Sequence, residues 1–282
     1  MQNPDFITPH ISDSHHLEIP WPSFAENLTR EIALPRWAPI HLGPLTVDLS
    51  PTKHVVMMLL AASLLLLALL TAARSQARRA ATGAPPKGFA GAIEAMVLYM
   101  RNEIILPNVG HHGEGFVPFC LTLFFFILFC NLLGLVPWMS TATGNISVTA
   151  TLAILSFLVV EIAGMRTLGR KYINTIVYWP HDVPLGVRAM VSPIMTPVEL
   201  ISKFTKPLAL AIRLFANMTA GHVLVLALIS LIFAFASPWI TIVPVLAATG
   251  IMVLELFVAF LQAFVFTLLV SVFIGSIRES AH

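Results

Sequence analysis

The sequence predicts an all-α polytopic membrane protein with about five membrane-embedded helices. Hydrophobic residues make up 57% of its 282 residues and charged residues only 11%, and several runs of 19 residues or more contain no charge. Soluble domains average about 25% charged residues, and a helix needs about 20 apolar residues to cross the hydrocarbon core of a bilayer. The small formal net charge of +2 argues against nucleic acid as a partner.

The first three membrane spans are predicted at residues 55–73, 116–138 and 146–165. The first two contain no charged residue, and the third contains Glu161 near its end. Each run is long enough to cross a hydrocarbon core about 30 Å thick. The polar stretch 140–145 predicts a tight turn between the second and third spans.

Two segments outside these spans have a mixed composition. Residues 88–106 combine apolar side chains with Glu94, Arg101 and Glu103, which predicts an amphipathic helix on the cytoplasmic surface. Residues 1–54 are polar and lack a short apolar run with a cleavage site, so we expect no removable signal peptide there. The predicted organisation is an extracytoplasmic segment, 1–54, and a membrane domain, 55–282.

Residues 194–236 and 238–278 predict two long, strongly tilted helices that form an antiparallel hairpin. Within their apolar parts the only full charges are Arg213 and Glu255. These apolar parts, 207–236 and 238–277, contain 30 and 40 residues and would be about 45 and 60 Å long as helices. They therefore cannot stand upright in a core of about 30 Å. The turn between them is expected at Ser237, outside the membrane.

The positions of Lys and Arg predict the orientation. Basic residues follow the first and third spans, whereas the tips at 139–145 and 237–241 contain none. Because basic loops stay in the cytoplasm, the N-terminus is expected outside and the C-terminus inside. Three tryptophans near the span ends are expected to be interfacial anchors: Trp138, Trp179 and Trp239.

Arg213 is the charge that this pattern explains least. An arginine at the centre of a membrane helix costs about 3 kcal/mol on insertion scales, so it must face a partner charge or a water-filled cavity. One interpretation is a structural ion pair with a neighbouring helix, and the other is an ion pathway. His222 is open to a similar choice, since a membrane histidine is either an interhelical hydrogen-bonder or a proton carrier.

Distances from the expected turn favour the ion pathway. His222 lies 16 residues before Pro238 and Glu255 lies 17 after it, while Arg213 lies 25 before and Gln262 lies 24 after. In an antiparallel pair of helices each couple falls at one depth. An acid and an imidazole at equal depth form a proton-exchanging couple.

The spacing along the first of these helices separates two faces. Asn217 follows Arg213 by four residues and shares its face, whereas His222 follows by nine and lies on the opposite face, about 13.5 Å further toward the outside. This layout is typical of an access path that approaches a charged barrier without passing through it.

Several of these stretches resemble subunit a of the F-type ATP synthases. The run PLALAIRLFANMTAGH at residues 207–222 resembles the signature of that family, and Glu255 with LQAFVF at 261–266 resembles its final helix. The resemblance covers most of the chain from about residue 50 and extends to Glu199, PKGF at 86–89 and NLLGLVP at 131–137. Some members carry an acid on the first helix and a histidine on the second, and this sequence has the reverse.

The resemblance implies a proton-translocating stator of a rotary F-type ATP synthase. Its partners would be a rotating ring of c subunits, each with one membrane carboxylate, and the peripheral-stalk b subunits. The chain would lie in the lipid bilayer of an energy-coupling membrane, expected to be a bacterial inner membrane. It would not be catalytic alone and would bind no metal or cofactor.

The resemblance also implies the roles of individual residues. Arg213 would ionise a ring carboxylate, because a cation within about 4–6 Å lowers the pKa of a carboxyl group by about 1–3 units, and it would separate two offset half-channels. His222, Glu255 and Asn217 would line the outer half-channel, and Glu199 the inner one. Glu161 is a weaker candidate for the inner path. Gln262 would either orient Arg213 or tether the two helices.

The sequence leaves other functions open. A sodium-coupled form of the same stator is one alternative, and a self-contained secondary transporter or channel is another, although no repeat is evident. A membrane-embedded enzyme would need a metal or nucleophile cluster, and His111 and His112 stand in a loop without further ligands. Lys203 and Lys206 are expected to be interfacial charges at a helix start.

Overall fold

The computed structural model of the chain describes residues 13–20, 29–43, 45–48, 50–80, 88–110, 113–136, 139–169, 172, 185–235 and 238–279. Five helices within these ranges are long and apolar enough to cross a membrane. The predicted all-α polytopic membrane fold is confirmed. The expected turn residue Ser237, the tryptophans Trp138 and Trp179, and the pair His111 and His112 lie outside the described residues.

Four short strands precede the first helix. Strand β1 (His16–Pro20) pairs antiparallel with β2 (Thr29–Ala33), and β3 (Ile40–Leu42) pairs antiparallel with β4 (Leu45–Val47). The sequence did not predict them, because strands of three to five residues leave too few positions for alternation to show. A left-handed Gly43, with φ +65°, lies between β3 and β4.

The first long helix and the segment after it extend beyond their predicted limits. Helix α1 (Lys53–Ala80) adds residues at both ends of the first predicted span. The segment predicted to lie on the cytoplasmic surface, called the surface segment below, comprises α2 (Gly88–Tyr99), a π-helical stretch (Met100–Ile105) and α3 (Leu106–Val109). It ends at Gly110, whose φ of 80° is a conformation that glycine adopts without strain. A helix was predicted here, but a π stretch within it has no signature in hydrophobic periodicity.

The second and third spans match their predicted positions closely. Helix α4 (Val117–Gly134) follows a short 3₁₀ turn, and α5 (Ile146–Leu168) follows another at Ala142–Gly144. The two cysteines, Cys120 and Cys130, lie on α4, are buried and form no disulfide.

The last two helices are the longest. Helix α6 (Leu185–Phe235) has 51 residues and α7 (Pro238–Glu279) has 42, so their lengths are about 76 and 63 Å. Helix α6 starts nine residues before the predicted position because it continues through Pro193 and Pro197. Proline removes one backbone hydrogen bond and bends a helix without always ending it. The tilt of these helices in a bilayer stays a prediction, as does the division at residue 54.

The chain divides into two compact units, each formed from three stretches. Unit one comprises Met1–Thr71, Phe125–Val148 and Leu214–Ala263, and unit two comprises Ala72–Phe124, Thr149–Arg213 and Phe264–His282.

In unit one, hydrogen bonds attach the N-terminal segment to the helices. Asp13 Oδ1 lies 2.8 Å from His54 Nδ1, and Asp13 Oδ2 accepts a hydrogen bond from Asn145 Nδ2 at 3.1 Å. The backbone N–H of Lys53 donates to the carbonyl of Ser14 at 2.9 Å. Burial raises the pKa of Asp13, but hydrogen bonds and the charge of His54 outweigh it, so this pKa lies below its ordinary value.

Unit one also contains a buried polar network between α4, the following loop and α7. Thr143 donates to Asn131 Oδ1 at 2.7 Å, and Asn131 Nδ2 donates to the Ala259 carbonyl at 3.2 Å. Thr141 lies 2.7 Å from Thr143 and donates to the Cys130 carbonyl. Because buried polar groups are costly without partners, these bonds restrict how the loop and helices pack.

Unit two is held by close contacts near the end of α7. Gly275 packs directly against the backbone carbonyl of Asn108. Arg278 donates to the carbonyl of Val109 at 2.9 Å, and its guanidinium carbon lies 5.8 Å from the centre of the Phe116 ring. These contacts fix the C-terminal end of α7 against the end of the surface segment.

We expect Gly275→Ala to destabilise the protein, because a Cβ atom at this position would overlap with the Asn108 carbonyl. Overpacking of this kind typically costs about 1–3 kcal/mol. The thermal midpoint of the detergent-solubilised protein measures the effect. Gly250→Ala is the matched control on the same helix, since a Cβ there meets nothing within 4 Å. Equal midpoints for the two variants would contradict the packing described for unit two.

Candidate functional site

The polar residues singled out from the sequence lie on the two longest helices. Helix α6 carries Glu199, Arg213, Asn217 and His222, and α7 carries Glu255 and Gln262. In an apolar helix each of these groups needs a partner, a wet surface or a neighbouring protein. Four of them belong to unit one, and Glu199 and Arg213 belong to unit two.

Two contacts in unit one join α6 to α7. Asn217 Nδ2 donates a hydrogen bond to Gln262 Oε1 at 3.0 Å. Gly221, one turn further along α6, packs directly against the carboxylate of Glu255. A step from 217 to 221 on α6 corresponds to a step from 262 back to 255 on α7, so the contacting helices run in opposite directions.

The contact at Gly221 places His222 and Glu255 at one level of the helix pair. Gly221 is the residue before His222, and a side chain larger than hydrogen at 221 would overlap with the carboxylate. Glu255 is 8% exposed, and His222 is half-buried. A carboxyl group and an imidazole therefore share one depth in a largely apolar environment, as the distances from the expected turn predicted.

Gln262 is buried and held by a hydrogen bond that the sequence did not predict. Its side chain is 3% exposed, and its carbonyl oxygen accepts the hydrogen bond from Asn217. Its Nε2 finds no acceptor among the described residues. The partner from α6 that the structure shows is Asn217, a pairing that sequence reasoning missed. The amide oxygen has a second lone pair that could accept a hydrogen bond from Arg213. The predicted contact between Gln262 and Arg213 stays a prediction.

Arg213 and Asn217 both have exposed side chains. They are four residues apart on α6, the spacing at which side chains share a helix face. Their neighbours Leu210, Ala211 and Leu214 are buried. An arginine exposed within a largely apolar run of a helix can act directly on a neighbouring protein.

Unit two contains a buried charged cluster near the start of the apolar part of α6. Lys203 Nζ lies 3.6 Å from Glu161 Oε2, and both side chains are largely buried. Lys203 also donates to Tyr172 Oη at 3.4 Å. The Lys203 side chain turns toward α5 and contacts a carboxylate there, and its expected position at the membrane interface stays a prediction. Lys206 is exposed, with Nζ 5.2 Å from the centre of the Phe273 ring. Glu199 is exposed.

Metal chemistry has no support in the described part of the chain. No group of three or more His, Cys, Asp or Glu side chains there could hold a metal ion.

The polar network at Asn131, Thr141 and Thr143 was not predicted. Its signal was the presence of Asn131 in an otherwise apolar run, but the partners of such an amide cannot be read from spacing.

Comparisons with known proteins agree with the sequence motifs. The family model described as ATP synthase A chain matches residues 55–275. An ATP synthase subunit a of Chloroherpeton thalassium is 47% identical over 84% of this chain and 70% of its own length. The ATP synthase subunit a 2 of Chlorobaculum tepidum is 42% identical over 96% of this chain and 72% of its own. The ATP synthase subunit a of Myxococcus xanthus is 48% identical over 84% of this chain and 75% of its own.

We expect Gly221→Ala to displace the Glu255 side chain, because the added methyl group would occupy the space of the carboxylate. The displaced carboxylate should become more accessible to a water-soluble carbodiimide. Mass spectrometry of the labelled protein in its native membrane measures the modified fraction of Glu255. Ala220→Gly, at the exposed neighbouring position, is the control. Unchanged labelling in Gly221→Ala would show that this contact does not confine the carboxylate.

Proposed function

This chain belongs to the ATP synthase A chain family, and we propose that it moves protons along two half-channels beside a rotating ring, with Arg213 between them. It is a multi-pass integral membrane protein, and its family identity makes it a membrane subunit of the F-type ATP synthase with a stator role in the Fo proton channel. It is not a catalytic enzyme alone.

The observation that carries the proposal is that Arg213 is exposed within an apolar run of α6. The arginine stands on a largely apolar run of α6, with an exposed amide, Asn217, one turn away. Such a charge is costly against lipid, so a protein partner with acidic groups is the favourable neighbour. A ring of c subunits, each with one membrane carboxylate, provides that neighbour.

The proposed role of Arg213 follows from electrostatics. A ring carboxyl group that faces lipid is held protonated by desolvation, and one that faces a guanidinium within about 4–6 Å is ionised. Arginine does not lose its charge under physiological conditions. Each ring site would therefore release its proton on reaching Arg213, and the fixed charge would prevent direct leakage from one half-channel to the other.

We assign the outer half-channel to Glu255, His222, Asn217 and Gln262. Glu255 and His222 share one depth, and both can take up and release a proton, which favours the proton over sodium as the coupling ion. The amides of Asn217 and Gln262 are bonded to each other at 3.0 Å. They would hold water and orient the guanidinium without carrying a net proton.

We assign the inner half-channel to Glu199. Its exposed carboxylate lies on α6, 14 residues before Arg213, which is about 21 Å along the helix axis. In the proposed orientation the N-terminal segment lies outside and the C-terminus lies in the cytoplasm, in a bacterial inner membrane. Peripheral-stalk b subunits would hold this chain against the torque of the ring.

We expect Arg213→Ala to abolish proton-coupled ATP synthesis, because no fixed cation would then ionise the ring carboxylates. Arg213→Lys should also fail largely, since an ammonium lacks the planar five-donor fork and can lose its proton when desolvated. ATP synthesis by inverted membrane vesicles with an imposed proton gradient measures the effect. Arg74→Ala removes an exposed arginine of α1 and is the control. A near wild-type rate in Arg213→Ala would exclude the proposed role.

We expect Glu255→Gln to slow proton uptake more severely than Asn217→Ala. A glutamine cannot relay a proton, whereas loss of the Asn217 amide removes a hydrogen-bond donor and leaves Glu255 and His222 in place. The expected losses are about 10²- to 10⁴-fold for a proton-transfer group and about tenfold or less for a single hydrogen bond. Proton flux through vesicles stripped of the catalytic sector measures both. Glu103→Gln removes an exposed carboxylate and is the control. The opposite ranking would make Glu255 a structural residue.

A further inference from the structure

We propose that Glu161 tunes proton release on the inner side by neutralising Lys203, the cation that shares a helix face with Glu199. This inference rests on the proposed function, in that it takes Glu199 as the inner proton-carrying group. Glu161 and Lys203 act as positioning residues, since neither is assigned a contact with the ring.

The contacts of Lys203 define the cluster. Its Nζ lies 3.6 Å from Glu161 Oε2 of α5, 3.4 Å from Tyr172 Oη and 4.8 Å from the centre of the Tyr172 ring. The Lys203 and Glu161 side chains are 11% and 15% exposed. The ammonium is thus bound on one side by a carboxylate and on another by a phenol.

Gly164 allows Tyr172 to approach this closely. The glycine lies almost one turn after Glu161 on α5, and a Cβ atom there would be 3.1 Å from Tyr172 Cε2 and would overlap with Ile277. Small residues let other parts of the chain pack against a helix backbone. The cluster is therefore a packed feature of unit two, with Phe157 and Phe204 adding a ring contact at 5.7 Å between centroids.

The buried pair of Glu161 and Lys203 is not explained by a contribution to stability alone. A largely buried ion pair often gains less from attraction than it loses in desolvation, and an apolar pair of similar size is commonly as stable. α5 and α6 already have apolar side chains with which to pack. Stability alone therefore does not explain why residue 203 is charged, and an effect of Lys203 on a neighbouring titratable group would explain it.

Glu199 lies four residues before Lys203 on α6, the spacing at which a glutamate and a lysine attract each other on one helix face. An ammonium without a counter-charge would disfavour protonation of Glu199, and a proton leaving the ring would transfer to it less readily. Glu161 supplies the counter-charge from α5. Lys206 is the other cation nearby on α6, and its ammonium lies over the Phe273 ring.

A structural tether is the competing explanation, and the two differ in whether the pH midpoint of conductance moves. If the pair only tethers α5 to α6, Glu161→Gln leaves a buried charge unpaired and lowers the amount of assembled protein, but the pH midpoint of the remaining conductance stays at the wild-type value. If Glu161 serves to offset the charge of Lys203, removal of Lys203 restores what the loss of Glu161 impaired.

The test measures passive proton conductance of inverted vesicles stripped of the catalytic sector, as a function of the pH on the cytoplasmic side. The variants are Glu161→Gln, Glu161→Gln with Lys203→Met, and the charge reversal Glu161→Lys with Lys203→Glu. Glu94→Gln, which removes a carboxylate bonded to Gln76 at 2.9 Å, is the matched control. The amounts of this chain and of ring subunit in each membrane correct for assembly.

We expect Glu161→Gln to lower conductance about three- to tenfold and to shift its pH midpoint toward acid, given the effect of a nearby charge on a partly exposed carboxyl group. The double variant, Glu161→Gln with Lys203→Met, should recover most of the conductance. The charge reversal keeps the pair neutral, so its midpoint should stay near the wild-type value. A wild-type midpoint in Glu161→Gln, or a double variant whose midpoint stays as acidic as that of Glu161→Gln, would overturn the inference in favour of a tether.

Two further variants separate this inference from the proposed function. If Arg213→Ala retains coupled transport, the proposed function itself fails. If Arg213→Ala is inactive but Glu199→Gln conducts at the wild-type rate, Glu199 is not the group on which Lys203 acts and only the present inference is overturned. If Glu161→Gln does not assemble, Lys203→Met decides the matter, because it removes the cation and leaves the Glu161 carboxylate. The midpoint should then move toward alkaline pH, and an unchanged midpoint would overturn the inference.

Discussion

The direct contact between α6 and α7 at Gly221 constrains the rest of unit one. Because Gly221 has no side chain, the carboxylate of Glu255 packs against the α6 backbone, and the Asn217 and Gln262 amides meet one to two turns away at 3.0 Å. A shift of either helix by one residue would rotate these groups by about 100° and separate them. The contact also sets the depth shared by Glu255 and His222, on which the proposed outer half-channel depends.

The cost of polar groups in an apolar environment explains how the remaining contacts are arranged. Asn131 is satisfied by Thr143 and by the Ala259 carbonyl, and Lys203 is satisfied by Glu161 and Tyr172. Arg213 differs from these groups in being exposed. The two buried sets position the helices, and the exposed guanidinium is available to another protein, as the proposed function requires.

Much of the fold was predictable because apolar runs in a membrane protein are long and nearly free of charge. The cores of α1, α4 and α5 were located within a few residues. The start of α6 was placed too late, since Pro193 and Pro197 suggest a helix boundary when read locally but lie inside a continuous helix. The short strands before α1 and the π-helical stretch from Met100 were not predicted, as neither leaves a pattern long enough to detect.

The sequence by itself determined the membrane class, the approximate positions of the long helices, the family and the depth shared by His222 and Glu255, because each of these follows from hydrophobic length, a motif or the fixed rise of an α-helix. Only the tertiary structure decided which side chains meet. Asn217 with Gln262, Asn131 with Thr143, and Lys203 with Glu161 are pairs separated by 12 to 45 residues. Periodicity gives the face and the depth of a residue, but the rotation of each helix against its neighbours is set by packing, where a single glycine such as Gly221 decides which groups come into contact.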